Sequence, residues 1–191
     1  TVIGAGVAGT EAIEKAIDNN AHVKIIDLSA ERLAELKAIH GTDRIEYIKS
    51  TDVAIAEALS QSDLVVGAVY VVGKQAPKIV TEKMLANMTP GSVMVDISID
   101  QGGCFETSKP TNHDEPTFIK DGVVHYCVTN MPGAVPLTAT QALNKVTLPF
   151  VMDLANKGIE AALKDDEHLL NGLNIQRGRV VHPAVKEALL G

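Results

Sequence analysis

Apolar positions recur along this chain with two periods, and the switches between them lay out its elements. An apolar run at Val2 and Ile3 passes through a glycine-rich turn into a stretch with amphipathic helical spacing, and a second strand, with Val23, Ile25 and Ile26, ends on Asp27. Ser29 is placed to cap a helix through about His40, with Leu33, Leu36 and Ile39 three residues apart on one face. A short strand is expected at 45–48, then a helix opened by Thr51 and Asp52 and carrying Val53, Ile55, Ala56 and Leu59. Asp63 leads into a strand at 64–68 that is apolar throughout, as a parallel strand buried on both faces is. Residues 73–77 read as a loop, Thr81 as the cap of a helix to about Met88, and Pro90-Gly91 as the turn into a strand at 92–97. The order then breaks: 101–116 is a long polar loop, and 123–128 is the last clear strand.

Strands alternating with helices at short spacing call for a parallel sheet with helices on both faces. The expected fold is therefore α/β, a Rossmann-type doubly wound parallel sheet over residues 1–136, followed by a C-terminal helical segment over 137–191. In that segment Ala142, Val146, Val151, Leu154, Ala155, Ile159 and Ala162 recur at roughly helical spacing, with Pro149 expected to bend the helix. A shorter helix at 167–170, a strand at 179–182 and a final helix from Pro183 complete the chain.

The first unit, VIGAGVAGTEAIEKAIDNNAHVKIID, carries the candidate chemistry. Gly4 lets the backbone turn sharply off the strand, Gly6 has no side chain to hold off a pyrophosphate, and Gly9 lets the helix pack close to the sheet. The helix N-terminus then offers unpaired N–H groups and partial positive charge to an anion. Asp27 is placed to accept hydrogen bonds from the adenosine ribose hydroxyls and to repel a 2′-phosphate, so NAD is expected rather than NADP. Arg32, one helical turn later, can either stack on adenine or receive a phosphate. Ligands sit at the carboxyl ends of parallel strands, which makes the segments after Ile97 and Val128 further site candidates. Lys74 and Lys78 flank a strand-end loop and either approach the dinucleotide phosphates or are ordinary surface lysines.

Composition narrows the partners. A chain of 191 residues has room for one full α/β domain and an extra element. No apolar run is long enough to cross a membrane, and no secretory signal is visible. A formal charge of -7 and few aromatic residues (Trp 0, Tyr 3, Phe 3) argue against a nucleic-acid partner, which needs a basic face and stacking platforms. Cys104 and Cys127 make no disulfide framework, so a cytoplasmic location is expected. Together with His113 and His125 they lack the spacing of a zinc module, and His125 and Cys127 alternate on one strand face as packed residues do; no metal is expected. Cys104 has no evident base beside it and reads as a small residue in a glycine loop rather than a nucleophile.

Four segments, VIGAGVAG, GAVYVVGKQAPK, VDISIDQGGCFETSKPT and YCVTNMPGAVP, resemble in this order the NAD-binding domain of the bacterial alanine dehydrogenases. The NAD-binding subunit of proton-translocating transhydrogenase is similar in its glycine turn and GK-x-APK loop, and less so after Ile97. The resemblance implies an enzyme, hexameric when intact, that oxidatively deaminates L-alanine with NAD and water to pyruvate, ammonium and NADH. It implies that Gly4, Gly6 and Gly9 form the pyrophosphate turn, that Asp27 is the ribose acid, and that Arg32 and Ser50 contact the adenosine side. Val69 and Tyr70 match backbone contacts beside the cofactor. Ile97, Ser98, Ile99 and Asp100, with Val128, Thr129, Asn130 and Met131, match the lining of the nicotinamide. Lys109 falls where relatives often carry Arg, which keeps the charge and loses the bidentate fork.

Asp100 matches the acid that the family places beside substrate and nicotinamide, where a carboxylate can stabilise an iminium or orient the attacking water. From the residues alone, a loop-capping acid ahead of Gly102-Gly103 is its other reading. Asn130 can pair its amide with the nicotinamide carboxamide, or serve as a turn residue before Met131-Pro132. The chain opens directly on its first strand, so something is expected to precede it. In the family that part carries most of the substrate domain, including a catalytic histidine and the lysine and arginine that grip the pyruvate carboxylate. This stretch alone is expected not to turn over alanine, and the apolar face of its C-terminal helix is expected to self-associate. The rival reading is a non-catalytic NAD-binding coupling or regulatory module, against which the 100–104 loop favours the dehydrogenase.

Overall fold

Strand β1 (Val2–Ile3) leads through the glycine turn into α1 (Val7–Asp18), and the alternation continues through β2 (Val23–Asp27), α2 (Ala30–His40) and β3 (Ile45–Lys49). Then come α3 (Asp52–Ser60), β4 (Leu64–Gly67), α4 (Glu82–Leu85), β5 (Val93–Asp96), β6 (Thr117–Lys120) and β7 (Val123–Tyr126). This computed structural model describes residues 1–72 and 75–190. The strands form one seven-stranded sheet in the order β3-β2-β1-β4-β5-β7-β6, parallel except for the antiparallel edge pair β6 and β7. Strand order reverses between β1 and β4, whose carboxyl ends therefore open a crevice.

Successive residues of a strand face opposite sides of the sheet, and the core divides accordingly. Val2 and Ile25 join Ile13 of α1 with Leu33 and Leu36 of α2 on one face, while Ile3 and Ile26 join Ile55 and Leu59 of α3 with Leu85 of α4 on the other. Ile13 is fully buried, so truncating it to alanine removes about 2–5 kcal/mol. Helix entry follows the expected capping: the Ser29 hydroxyl accepts from the Arg32 N–H at 3.1 Å and the Thr51 hydroxyl from the Ala54 N–H at 3.1 Å.

By contacts the chain divides into two units, Thr1–Val71 with Gln75–Met131, and a second that holds everything from Pro132 onward. The second contains α5 (Pro136–Lys157), α6 (Ile159–Asp165), α7 (Glu167–Asn171), the hairpin of β8 (Ile175–Gln176) and β9 (Arg179–Val180), and α8 (Pro183–Leu190). No residue of α5 is buried, and Leu137, Leu143, Val146 and Val151 are all more than half exposed. Among the described residues no helix is long and apolar enough to cross a membrane.

Several expected boundaries move. β6 has no counterpart among the expected elements, because its Thr-Phe-Ile-Lys run is half polar and sits on the edge, buried on neither face. The strand expected at 123–128 stops at Tyr126, and Val128 keeps only an isolated bridge to Thr111. The helix expected at 81–88 is a single turn, and Thr81 does not cap it; the Glu106 carboxylate accepts from the Glu82 N–H at 2.7 Å instead. α5 runs through Pro149 and ends at Lys157, where Gly158 adopts φ 77° and separates it from α6, so the apolar spacing spans two helices.

Candidate functional site

The glycine turn is built by steric exclusion. Gly4 has φ +93°, a conformation side chains rarely adopt, and a Cβ there would lie 2.6 Å from the Ala68 carbonyl oxygen. At Gly9 a Cβ would lie 1.8 Å from the Gly4 carbonyl oxygen, so α1 and the turn touch backbone to backbone. Gly6 is the opposite case: a Cβ there would meet nothing within 4 Å. It is also the N-cap of α1, with no side-chain cap among the described residues and no acid in the first turn. An open face over uncapped helix N–H groups suits an anion and a close backbone approach, which is the room a pyrophosphate needs.

Asp27 and Arg32 hold this turn between them. The Ala5 N–H donates to Asp27 Oδ2 at 2.7 Å, and Asp27 Oδ1 accepts from the Ser29 N–H at 2.8 Å, leaving each carboxylate oxygen one lone pair. Arg32 donates through Nε to the Ala5 carbonyl at 2.9 Å and through a terminal nitrogen to the Thr10 hydroxyl at 2.9 Å, and its other terminal nitrogen meets Glu35 at 2.8 Å. The guanidinium is thus committed to the turn and to α2 rather than standing free. Ser50 follows β3, half-buried, its N–H donating to the Asp27 carbonyl at 2.9 Å.

The remaining candidates line the loops that follow β4, β5 and β7. The Val69 carbonyl accepts from the Ser98 hydroxyl at 2.7 Å, tying the loop after β4 to the one after β5, and Tyr70 stands 71% exposed. Ile97, Ser98, Ile99 and Asp100 form a 3₁₀ turn, Ile97–Gln101, on which Ser98 and Ile99 are buried and Asp100 is exposed. After β7, Val128 is buried, the Thr129 N–H donates to the Thr111 carbonyl at 3.1 Å, and Met131 is half-buried. Asn130 is exposed at φ 56°, and its carbonyl accepts from His113 Nε2 at 3.1 Å. All of these lie at the carboxyl edge of the parallel strands. Lys109 sits beside β6, its ammonium 4.9 Å from the Phe118 ring centroid.

Lys78, Cys104 and His125 are each held by their neighbours. Lys78 is not free to reach a ligand phosphate, because its ammonium donates to the Gly102, Gly103 and Phe105 carbonyls. Lys74 lies outside the described residues. Cys104 is fully buried against Asp96, and burial, aided by that carboxylate, pushes its thiol up to about 12, which suits packing and not nucleophilic attack. His125 is a satisfied core residue: Nδ1 donates to the Val123 carbonyl at 3.1 Å, Nε2 accepts from the Thr107 hydroxyl at 2.8 Å, and the ring stacks on Phe118 at 4.8 Å. Among the described residues no group of three or more His, Cys, Asp or Glu could hold a metal ion.

Two contributors lie within the quoted segments but carried no role in the sequence reading. Thr10, one turn into α1, orients Arg32, and Asp96, at the end of β5, is a fully buried carboxylate around which the 97–108 segment is arranged. The one signal for Asp96 is an acid closing an otherwise apolar strand, as Asp27 does.

A family profile described as "Alanine dehydrogenase/PNT, C-terminal domain" matches residues 1–183. The chain is 54% identical over 188 residues to the alanine dehydrogenase of Halomonas elongata, covering 98% of this chain and 50% of that protein. A solved L-alanine dehydrogenase superposes with a TM-score of 0.86 at 49% identity, over 97% of this chain and 51% of that one. A transhydrogenase from Sinorhizobium meliloti superposes with a TM-score of 0.75 at 27% identity, over 96% of this chain and 49% of that one. The chain spans about half the length of the curated relatives it matches.

Proposed function

Because this chain belongs to the alanine dehydrogenase/PNT C-terminal domain family, we propose that it is the NAD-binding half of an L-alanine dehydrogenase. The intact enzyme converts L-alanine, NAD and water to pyruvate, ammonium and NADH, and works in the cytoplasm as a homo-oligomer, a hexamer when whole. The observation that carries the cofactor reading is the open face over Gly6 at the uncapped N-terminus of α1, set at the crevice between β1 and β4.

In this reading the N–H groups at the start of α1 receive the pyrophosphate. The remaining lone pairs of Asp27 accept from the adenosine ribose hydroxyls and repel a 2′-phosphate, and Ser50 closes the adenosine side. Arg32 keeps the turn in shape from behind. Val69, Tyr70, the turn carrying Ser98 and Asp100, and residues 128–131 form the nicotinamide side, where the Asn130 amide fixes which ring face is presented. NAD, when bound there, accepts the hydride. Asp100, exposed on its turn, stabilises positive charge on the deaminating carbon–nitrogen unit or orients the attacking water. The alanine-binding groups belong to the half of the relatives that this chain does not span, so residues 1–136 supply the cofactor side and residues 137–191 the return toward that half.

Calorimetric titration with NAD, with NADP and with an Asp27→Ala variant tests the reading. NAD is expected to bind, NADP to bind more weakly, and the variant to lose most of the NAD affinity. No binding of NAD by the full chain would overturn it. A non-catalytic coupling module is the second reading, supported by the likeness to the transhydrogenase structure at 27% identity, against 54% to an alanine dehydrogenase.

A further inference from the structure

The DQGGCFE segment is wrapped around a charge that has no place among the proposed ligand contacts. Asp96 is fully buried at the end of β5. Its Oδ1 accepts from the Ser98 N–H at 3.0 Å and lies 3.5 Å from the Cys104 thiol. Its Oδ2 accepts from the Cys104 N–H at 2.9 Å, the Phe105 N–H at 3.3 Å and the Ser108 hydroxyl at 2.5 Å. The loop approaches so closely that a Cβ on Gly103, where φ is +78°, would lie 2.7 Å from Oδ2. From outside, the Lys78 ammonium gathers the Gly102, Gly103 and Phe105 carbonyls. N–H groups of the loop thus converge on an anion and its carbonyls on a cation. A buried carboxylate is tolerated only when donors surround it, and such charge-assisted bonds hold geometry better than neutral ones do.

Asp100 stands between the two ends of this clasp. The Asp96 carboxylate caps the Ile97–Gln101 turn at Ser98 and binds the chain again at Cys104, once Gly102 and Gly103 have reversed it. We propose that Asp96 is a positioning residue: with Lys78 it sets the turn carrying Ser98 and Asp100, and hence the nicotinamide side of the site. This rests on the cofactor reading above. Asparagine keeps the shape of Asp96 but replaces an acceptor oxygen with an N–H₂ facing backbone N–H groups, so the turn would shift while the glycine turn, on β1, stays in place.

The test compares two probes on the full chain: ADP-ribose, which lacks the nicotinamide, and NADH, whose fluorescence reports its immobilisation in a protein with Trp 0. Asp96→Asn, Ser108→Ala and Lys78→Met are expected to bind ADP-ribose as the unaltered chain does. NADH affinity should fall by about tenfold in the first variant and about threefold in the others, with loss of the NADH emission gain. Equal weakening of both probes, unchanged NADH binding, or an unaltered chain that holds NADH no tighter than ADP-ribose would overturn the proposal. If circular dichroism shows Asp96→Asn unfolded, the two milder variants decide the matter by the same ratio. Failure of the unaltered chain to bind ADP-ribose would instead overturn the cofactor reading, and the proposal with it.

Discussion

Alanine at Gly6 and alanine at Gly9 are expected to fail in opposite ways. At Gly9 the new methyl would lie 1.8 Å from the Gly4 carbonyl oxygen and 2.9 Å from its carbon, atoms that cannot rotate aside, so α1 must move off β1. Overpacking ordinarily costs about 1–3 kcal/mol, and a clash with backbone falls at the top of that range. With about 2–4 °C of melting temperature per kcal/mol for a chain of this size, the midpoint should drop by roughly 6–12 °C. At Gly6 the backbone, φ -70° and ψ -165°, suits alanine, and its methyl would meet nothing within 4 Å. The loss of an N-cap glycine should cost less than about 1 kcal/mol, a shift of a few degrees at most. Its methyl nevertheless fills the open face, so NAD affinity should fall at least about tenfold, or ~1.4 kcal/mol. Thermal unfolding and calorimetric titration read both quantities. A Gly6→Ala variant that binds NAD normally would refute the path of the pyrophosphate over the turn, and a Gly9→Ala variant of unchanged melting temperature would refute the packing.

Three further outcomes are expected. Burial lowers the His125 pKa, opposed by the Val123 carbonyl, Asp121 and Asp96 and aided by Lys109. The unfolded chain therefore takes up a proton first: stability present above about pH 6.5 should fade as pH falls toward the folded value, by up to about 1.4 kcal/mol per pH unit. In His125→Gln the melting temperature should vary less between pH 7.5 and 5.5, and an unchanged slope would count against this assignment. Both cysteines are fully buried with raised thiol pKa values, so a thiol reagent at about pH 8 should label neither in the folded chain and both in denaturant; rapid labelling of Cys104 would contradict the packing around Asp96. The exposed apolar face of α5 should make the chain self-associate, and Val146→Lys should reduce it; light scattering that finds the unaltered chain monomeric at high concentration would argue otherwise.

What could be read from the residues alone is what local sterics and periodicity impose. The α1 glycines, the caps at Ser29 and Thr51, and the apolar strands at β2, β4 and β5 each follow from residue types within a few positions, and the sheet follows from their alternation. What could not be read is which distant polar groups converge. The residue types left Arg32 between adenine and a phosphate and Lys78 between phosphate and open surface; they did not show that Arg32 also donates to Ala5 and Thr10, or Lys78 to three loop carbonyls. β6 and the shortened α4 escaped because their few residues carry little periodic signal, and the Glu106 carboxylate that caps α4 comes from a separate loop.

The two strand-ending acids connect these halves of the problem. Asp27 closes β2 and takes the Ala5 N–H of the glycine turn; Asp96 closes β5 and takes N–H groups from Ser98, Cys104 and Phe105. A parallel strand delivers its last side chain to the edge where the loops cross, and a carboxylate there can bind only donors, of which unpaired loop N–H groups are the nearest supply. The difference between the two lies in burial. Asp27 is half-buried and keeps a lone pair on each oxygen toward solvent, so it can hold its loop and a ribose at once, whereas Asp96 is sealed and its donors are all internal. One physical device, an acid at the end of a parallel strand, thus leaves lone pairs open to a ligand where water reaches it and holds only its own loop where water does not.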